Sequence, residues 1–128
     1  MEGSALDNCT SLSKVNIPKS ISKIDGLTFH NCPKFDVIVI PDNITEIGNQ
    51  AFADSGYVHG THIKYLEIPS SVTTFGYQSF QGIIADNVMI HCNLPDGKSI
   101  FSNSTIYNLT LGKEVEYVGE NSIKCTVI

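Results

Sequence analysis

The repeating unit that decides the fold is clearest at residues 35–47, which read FDVIVIPDNITEI. Residues 12–24 read LSKVNIPKSISKI in the same pattern, and residues 63–75 read IKYLEIPSSVTTF. The prolines of these three units are separated by 23 and 28 residues along the chain. A period in this range is typical of proteins whose units stack on one another and share a continuous core.

Two further units follow in which another residue takes the place of proline. Val88–Ile90 is followed by His91, and Leu109–Leu111 is followed by Gly112. We therefore count about five units and predict one domain over residues 1–128. Because a repeat is already under way at Leu6, we expect the chain to be a fragment of a longer repeat protein.

Each unit divides into three segments. The apolar residues before the proline alternate with their neighbours and are mostly β-branched, which predicts a short β-strand. Proline then ends the strand because it has no N–H for the ladder. Ile21 and Ile24, with their equivalents, predict a second short segment on the opposite wall. The residues around Phe52 predict a turn that buries the phenyl ring.

The pattern Leu-x-x-Val-x-Ile-Pro-x-Ser-Ile-x-x-Ile, followed by Phe-x-x-Cys, resembles the BspA-like (Treponema pallidum type) leucine-rich repeat. Residues 40–52, IPDNITEIGNQAF, and residues 68–76, IPSSVTTFG, carry the resemblance most closely. It implies a repeat solenoid, a leucine-rich-repeat-like right-handed coil. Short parallel β-strands would lie on one face, and short strands, turns or 3-10 segments on the other. The resemblance also implies a cell-surface or secreted protein with a role in adhesion.

The side chains that alternate with the buried strand residues are predicted to form an exposed binding face. Successive side chains of a strand point to opposite sides, so these residues point outward. Val37, Val39, Tyr65 and Met89 would form an apolar centre with a polar rim, as in many protein interfaces. We call the two rows of outward residues the outer columns. The first consists of Lys14, Val37, Tyr65, Asn87 and Asn108, and the second of Asn16, Val39, Glu67, Met89 and Thr110.

The overall charge and the lack of known motifs exclude several classes of function. Thirteen acidic residues against eight basic ones give a net charge of −5, and no basic run exists. This argues against a nucleic-acid partner, since such binding depends on clustered Lys and Arg. The longest apolar run, Val37–Ile40, is too short for a membrane span. No signal peptide is recognisable, and no motif indicates an enzyme or a cofactor.

The cysteines and histidines offer weaker alternatives. Cys9 and Cys32 occupy one repeat slot and are predicted to be buried thiols on neighbouring units. They could form a disulfide only if their Cβ atoms came within about 4.5 Å. Cys92 and Cys125 show neither metal-ligand spacing nor an evident catalytic base. His59 and His62 share a polar loop, but zinc sites usually need a third protein ligand, so we predict no metal site.

The sequence predicts two main functions and leaves a small enzyme or metal protein that uses His59 and His62 as a third alternative. The first is a protein-binding or adhesive module with a protein partner such as a host or matrix protein, without nucleic-acid binding or membrane insertion. The second is a structural spacer within a longer surface protein. Because neither end shows a cap, we also expect self-association through the ends of the stack. Four N-glycosylation sequons, at Asn8, Asn43, Asn103 and Asn108, matter only in a secreting eukaryote.

Overall fold

A computed structural model describes residues 16–32, 34–55, 62–123 and 126–127, which form two parallel β-sheets. The three-stranded sheet contains β1 (Lys23–Ile24), β3 (Glu46–Ile47) and β5 (Thr74–Phe75). The five-stranded sheet contains β2 (Val37–Val39), β4 (Tyr65–Ile68), β6 (Ile84–Ile90), β7 (Thr105–Leu111) and β8 (Thr126–Val127). From β1 to β6 the chain passes alternately from one sheet to the other, so the second and third units each contribute one strand to both sheets.

The pairing register confirms the unit boundaries that the sequence predicts. Leu66 pairs with Ile38 on one side and with Val88 on the other, and Val88 pairs with Leu109. The predicted second segment is also confirmed, because β1, β3 and β5 pair in the order of their units. The last strand, β8, pairs with β7 through Thr105–Thr126 and Ile106–Val127.

His91 and Gly112 occupy the proline slot, and each has a backbone N–H that can donate a hydrogen bond there. His91 N donates to the Ile68 carbonyl at 3.0 Å, and Gly112 N donates to the Ile90 carbonyl at 2.7 Å. Proline has no N–H and cannot make this bond. The ladder therefore continues past the point where it stops in the earlier units. β6 and β7 also start earlier than predicted and have seven residues each rather than three.

A column of stacked phenyl rings fills the space beneath the turns that join the two walls. Phe52 stacks on Phe29 and on Phe80, with ring centroids 5.0 Å apart in both pairs. Phe80 stacks on Phe101 at 5.4 Å, and all four rings are at most 1% exposed. The main-chain N–H of each ring-bearing residue donates to a carbonyl of the next unit. The prediction that Phe52 lies in a ring-burying turn is therefore confirmed.

The same turns hold residues with left-handed backbone conformations at two repeated positions. Among the described residues, every non-glycine residue with positive φ belongs to one of these two positions, and Gly82 completes the second. Such a conformation costs an L-residue roughly 1 kcal/mol, which the inter-unit bonds and ring stacking must offset. No 3-10 helix occurs in the described turns. The two positions are Leu27, Gln50, Gln78, Ser99 and Asn121, and Asn31, Asp54, Gly82 and Asn103.

A glycine lies at the corner where the chain leaves the three-stranded sheet and enters the turn that carries the phenyl ring. Gly48 N, Gly76 N and Gly119 N each donate to the carbonyl of the preceding unit at 2.7 Å or less. A Cβ on Gly76 would collide with the backbone of Asn49 and Gly48. The units thus approach one another too closely at this corner for a side chain.

Of the predicted first strand, the structure describes only Asn16 and Ile17, and neither belongs to a strand. Val15 lies outside the described residues. Lys14, Cys9, Cys125 and His59 lie outside the described residues.

We expect Gly76→Ala to lower the free energy of unfolding by about 2–3 kcal/mol, since the added methyl group meets backbone that cannot rotate away. Urea denaturation would measure the change. Gly97→Ala is the control, because a Cβ at Gly97 meets nothing within 4 Å, although its φ of +74° still carries a strain of about 1 kcal/mol. An equal loss in the two variants would contradict the steric explanation.

We expect Phe80→Ala to cost about 3–5 kcal/mol of unfolding free energy, because it leaves a cavity between two stacked rings. Tyr77→Ala, three residues away in the same turn, provides the comparison, since the Tyr77 side chain is 49% exposed. Its cost should stay within about 0.5 kcal/mol. Thermal or urea unfolding of both variants would test whether the phenyl column supplies the stability.

Candidate partner-binding face

From Val37 and Val39 onward, the outer columns lie on the exposed side of the five-stranded sheet, in the register that the sequence predicts. Val37 pairs with Tyr65 and Asn87 pairs with Asn108. In the second column, Glu67 pairs with Val39 on one side and with Met89 on the other, and Met89 pairs with Thr110. Asn16 is exposed but lies in no strand, so the structure does not align it with this column.

The apolar part of this face is most exposed on β2. Val37 is 42% exposed and Val39 is 55% exposed, whereas Ile38 between them is buried. Tyr65 and Met89, on the following strands, are partly exposed. We call these four side chains the apolar strip; it extends over three strands, and Glu67 lies within it between Val39 and Met89. Strands about 4.8 Å apart make this strip roughly 10 Å wide along the stack.

The two asparagines of the first column also bind the backbone. Asn87 Nδ2 donates to the Lys64 carbonyl at 3.2 Å, and Asn108 Nδ2 donates to the Asp86 carbonyl at the same distance. Each amide thereby ties its strand to the preceding unit. Both residues remain exposed, so they can still offer the amide oxygen to a partner.

A third outward column adjoins the first and was missed by the sequence reasoning. Strict alternation fails at Asp86 and Asn87, because the inward residues Ala85 and Val88 are three positions apart rather than two. The same spacing recurs in β7, where Tyr107 and Asn108 are both exposed. Two successive residues of each unit therefore lie on the outside. The added column consists of Asp36, Lys64, Asp86 and Tyr107.

This added column is mostly polar and internally paired. Lys64 Nζ lies 3.7 Å from Asp36 Oδ1, and His62 Nδ1 lies 2.8 Å from Asp86 Oδ1. The His62 ring also stacks on Tyr107, with centroids 5.4 Å apart. His62 thus pairs with a carboxylate and an aromatic ring. The described residues contain no group of three or more His, Cys, Asp or Glu side chains that could hold a metal ion.

A chain of polar side chains starts at Tyr65 in the outer columns and passes through Glu67 and His91. It ends at Glu114, beyond the last residues of the strands. The Tyr65 hydroxyl donates to Glu67 Oε1 at 2.7 Å, and this hydrogen bond is the main reason that the pKa of Tyr65 is raised. His91 Nε2 lies 3.0 Å from Glu67 Oε2, and His91 Nδ1 lies 3.3 Å from Glu114 Oε2. A neutral imidazole can donate to one of these carboxylates, and only the protonated ring donates to both.

One feature of the sequence indicated this network. His91 takes the proline slot of the fourth unit, and Glu67 is an outward residue of the preceding unit. Glu114 could not be found in the same way, because its side chain reaches His91 from the next unit. The pKa of Glu114 is lowered, first by a hydrogen bond from its own backbone N–H and then by the bond to His91. The carboxylate is therefore ionised at neutral pH.

The structure does not support a catalytic role for the described cysteines. Cys92 follows His91 in sequence, but its side chain is only 4% exposed, and burial raises the pKa of the thiol to about 11. A nucleophilic cysteine instead needs a lowered pKa and access to solvent. Cys32 is buried as predicted, and its sulfur lies 3.8 Å from the His30 carbonyl oxygen. Its predicted neighbour, Cys9, lies outside the described residues.

Comparison with family models gives a match to the BspA type leucine-rich repeat region over residues 1–59 and 55–128. The chain belongs to this family. The resemblance seen in the sequence is thereby confirmed. The BspA-type model recognises six copies of the repeat, one more than the five units counted from the proline slots.

One solved structure supports the fold of this BspA-type chain. It is the crystal structure of a leucine-rich repeat protein from Bacteroides ovatus, with 21% sequence identity and a TM-score of 0.58. The match covers 96% of this chain but only 38% of the Bacteroides protein, so the chain spans less than half the length of that relative. The leucine-rich-repeat fold with parallel strands is thus shown, whereas the right-handed coil stays a prediction. No curated protein matches the chain significantly.

Membership in this repeat family indicates a protein-interaction or structural module. The use of the exposed strand face as a binding surface stays a prediction. Among the described residues, no helix is long and apolar enough to cross a membrane.

We expect the folded state to lose stability as the pH rises from about 9 to about 11. The Cys92 thiol ionises near its ordinary pKa of 9.0 in the unfolded chain but only near 11 in the folded chain, so the unfolded state loses its proton first. Cys92→Ala should therefore lose less stability over this range. Urea denaturation of both proteins at several pH values, with a reducing agent present, would test this. Equal pH slopes would show that Cys92 is not responsible.

Proposed function

We propose that this chain is the protein-binding part of a cell-surface or secreted leucine-rich repeat protein, and that it acts in adhesion. The partner would bind the outer columns, and the observation that carries this proposal is the exposure of Val37 and Val39 beside Tyr65 and Met89. Side chains of this kind lose contact with water favourably when a partner covers them, at roughly 25 cal/mol per Å² of apolar area.

The composition of the surrounding side chains supports the same proposal. Asn87, Asn108 and Thr110 lie beside the apolar strip and Glu67 lies within it, and all four can form hydrogen bonds with a partner. A centre of apolar and aromatic residues with a polar edge is the common arrangement in protein complexes. The excess of acidic residues favours a protein surface with complementary basic groups over a nucleic acid.

An enzymatic function has no comparable support. Repeats of this family are typically not enzymes, and the buried Cys92 lacks the lowered pKa of a nucleophile. Membership in the family supports a surface or secreted location, and we propose a host or matrix protein as the partner.

The binding proposal can be tested with a variant that changes the apolar strip but keeps the shape of its side chains. In Val37→Thr, Val39→Thr, Met89→Gln, we expect proteins retained by the immobilised chain from a cell-surface extract to fall at least about tenfold. Each buried apolar side chain of an interface centre contributes on the order of 1 kcal/mol, so two or three give this factor. Quantitative mass spectrometry of the retained proteins is the measurement.

The matched control changes the other sheet. Lys23→Gln, Glu46→Gln alters two side chains that pair with each other at 3.5 Å on the outside of the three-stranded sheet. A protein retained by the parent and by this control but lost from the first variant would support the proposal. Equal retention by both variants would show that the wrong face was chosen.

The spacer function is the alternative, and the same experiment separates it. A spacer without a ligand of its own should retain no protein in any of the three forms. That result would contradict the binding proposal and favour a structural segment of a longer surface protein.

A further inference from the structure

The fourth unit has fewer residues than its neighbours between the proline slot and the wall residue, which is the residue that lies in or in line with the three-stranded sheet. Six positions separate the proline slot from the wall residue in the second unit, Pro41 to Ile47, and in the third, Pro69 to Phe75. The same spacing returns in the fifth unit, whereas only three positions separate His91 from Leu94 in the fourth. The fourth unit therefore lacks three residues that its neighbours use to form a turn.

The missing residues interrupt the three-stranded sheet. In the neighbouring units an N–H after the proline slot closes a turn, as Val72 N does by donating to the Pro69 carbonyl at 3.4 Å. In the fourth unit, Leu94 N donates to the Tyr117 carbonyl of the following unit instead. Leu94 forms a bridge with Val118 but does not pair with Phe75, so the sheet ends at β5.

A cleft of about 290 Å³ opens where the sheet is interrupted. This volume is close to the lower limit of ordinary small-ligand pockets. Its inner part includes the apolar side chains of Val72, Cys92 and Pro95, of which Val72 is 2% and Cys92 4% exposed. Glu114, Tyr117 and His91 lie at its margin. Ser70, Thr73 and Asn93 complete the lining, which therefore combines apolar and neutral polar groups with one carboxylate, an imidazole and a phenol ring.

The charges at the margin favour a cationic ligand. None of the residues that line the cleft is Lys or Arg; Lys113 precedes Glu114 in sequence but is not part of the lining. His91 Nδ1 lies 3.4 Å from Glu114 Oε1 and 3.3 Å from Oε2. A carboxylate can accept about four hydrogen bonds and this side chain is 44% exposed, so both oxygens can still accept bonds from a ligand. The imidazole of His91 is itself held between two carboxylates.

We propose that this cleft binds an arginine side chain of a protein or peptide ligand. The methylene stem would contact Val72, Cys92 and Pro95, and the guanidinium group would form a bidentate pair with Glu114. The Tyr117 residue is 56% exposed, and its ring can receive the face of the same guanidinium. Arginine fits these three features better than lysine, because its planar head forms two parallel bonds to a carboxylate and stacks on aromatic rings.

The proposal does not depend on binding at the outer columns. The cleft lies beyond the end of the five-stranded sheet, and the contact between His91 and Glu67 connects it to that face. A failed test of one site therefore leaves the other unaffected.

The test is an NMR titration of the full chain with N-acetyl-L-arginine amide, which carries the side-chain cation and has blocked ends. We expect saturable shifts of the Asn93, Glu114 and Tyr117 amide signals. N-acetyl-L-citrulline amide has nearly the same shape without the charge, and we expect it to bind at least about fivefold more weakly. Equal binding of the two compounds, or no shift at these residues, would overturn the proposal.

Two variants separate the specific carboxylate from the general negative charge of the protein. Glu114→Gln should weaken binding of the arginine compound at least about fivefold, while Glu116→Gln removes the same charge two residues away from a side chain that does not line the cleft. Equal weakening in both variants would show a general charge effect and contradict the proposed site. Retained dispersion of the amide signals would confirm that each variant is folded.

Discussion

Each unit must bury its apolar side chains against the next unit, and the rest of the structure depends on this requirement. A single unit supplies one strand residue pair, one inner-wall residue and one phenyl ring, which cannot form a closed core alone. Ring centroids 5.0 Å apart between Phe52 and its two neighbours match the spacing of paired strands. Both walls and the turns therefore stack with one common repeat distance.

This shared distance explains which positions of the unit are restricted. The corner glycines leave room for the closest backbone approach, and the turns accept left-handed conformations to keep the rings in line. The proline slot is less restricted, because hydrogen bonding at a strand end can stop or continue without moving the neighbouring unit. His91 and Gly112 show this, since each adds one bond to the ladder and leaves the register unchanged.

Much of the fold could be predicted because its signals recur at fixed offsets. The β-branched residues before Pro41 and Pro69 gave the strands, and the offset between the units gave the pairing of Val39 with Glu67. The third outward column was missed because alternation by two fails where Ala85 and Val88 are both buried. The contact between His91 and Glu114 was missed because it joins side chains from different units. Predicting the cleft would have required recognising the missing turn between His91 and Leu94.

The short path of the fourth unit shows that the corners of the stack can change in length while the strands on either side stay paired. Val88 keeps its register with Leu66 and Leu109 although three residues are missing just after the strand. A deletion within one repeat can therefore create a concave surface without altering the exposed strand face. Repeat proteins of this type can in this way gain or lose a recognition site by one small genetic event, independently of the surface that their strands provide.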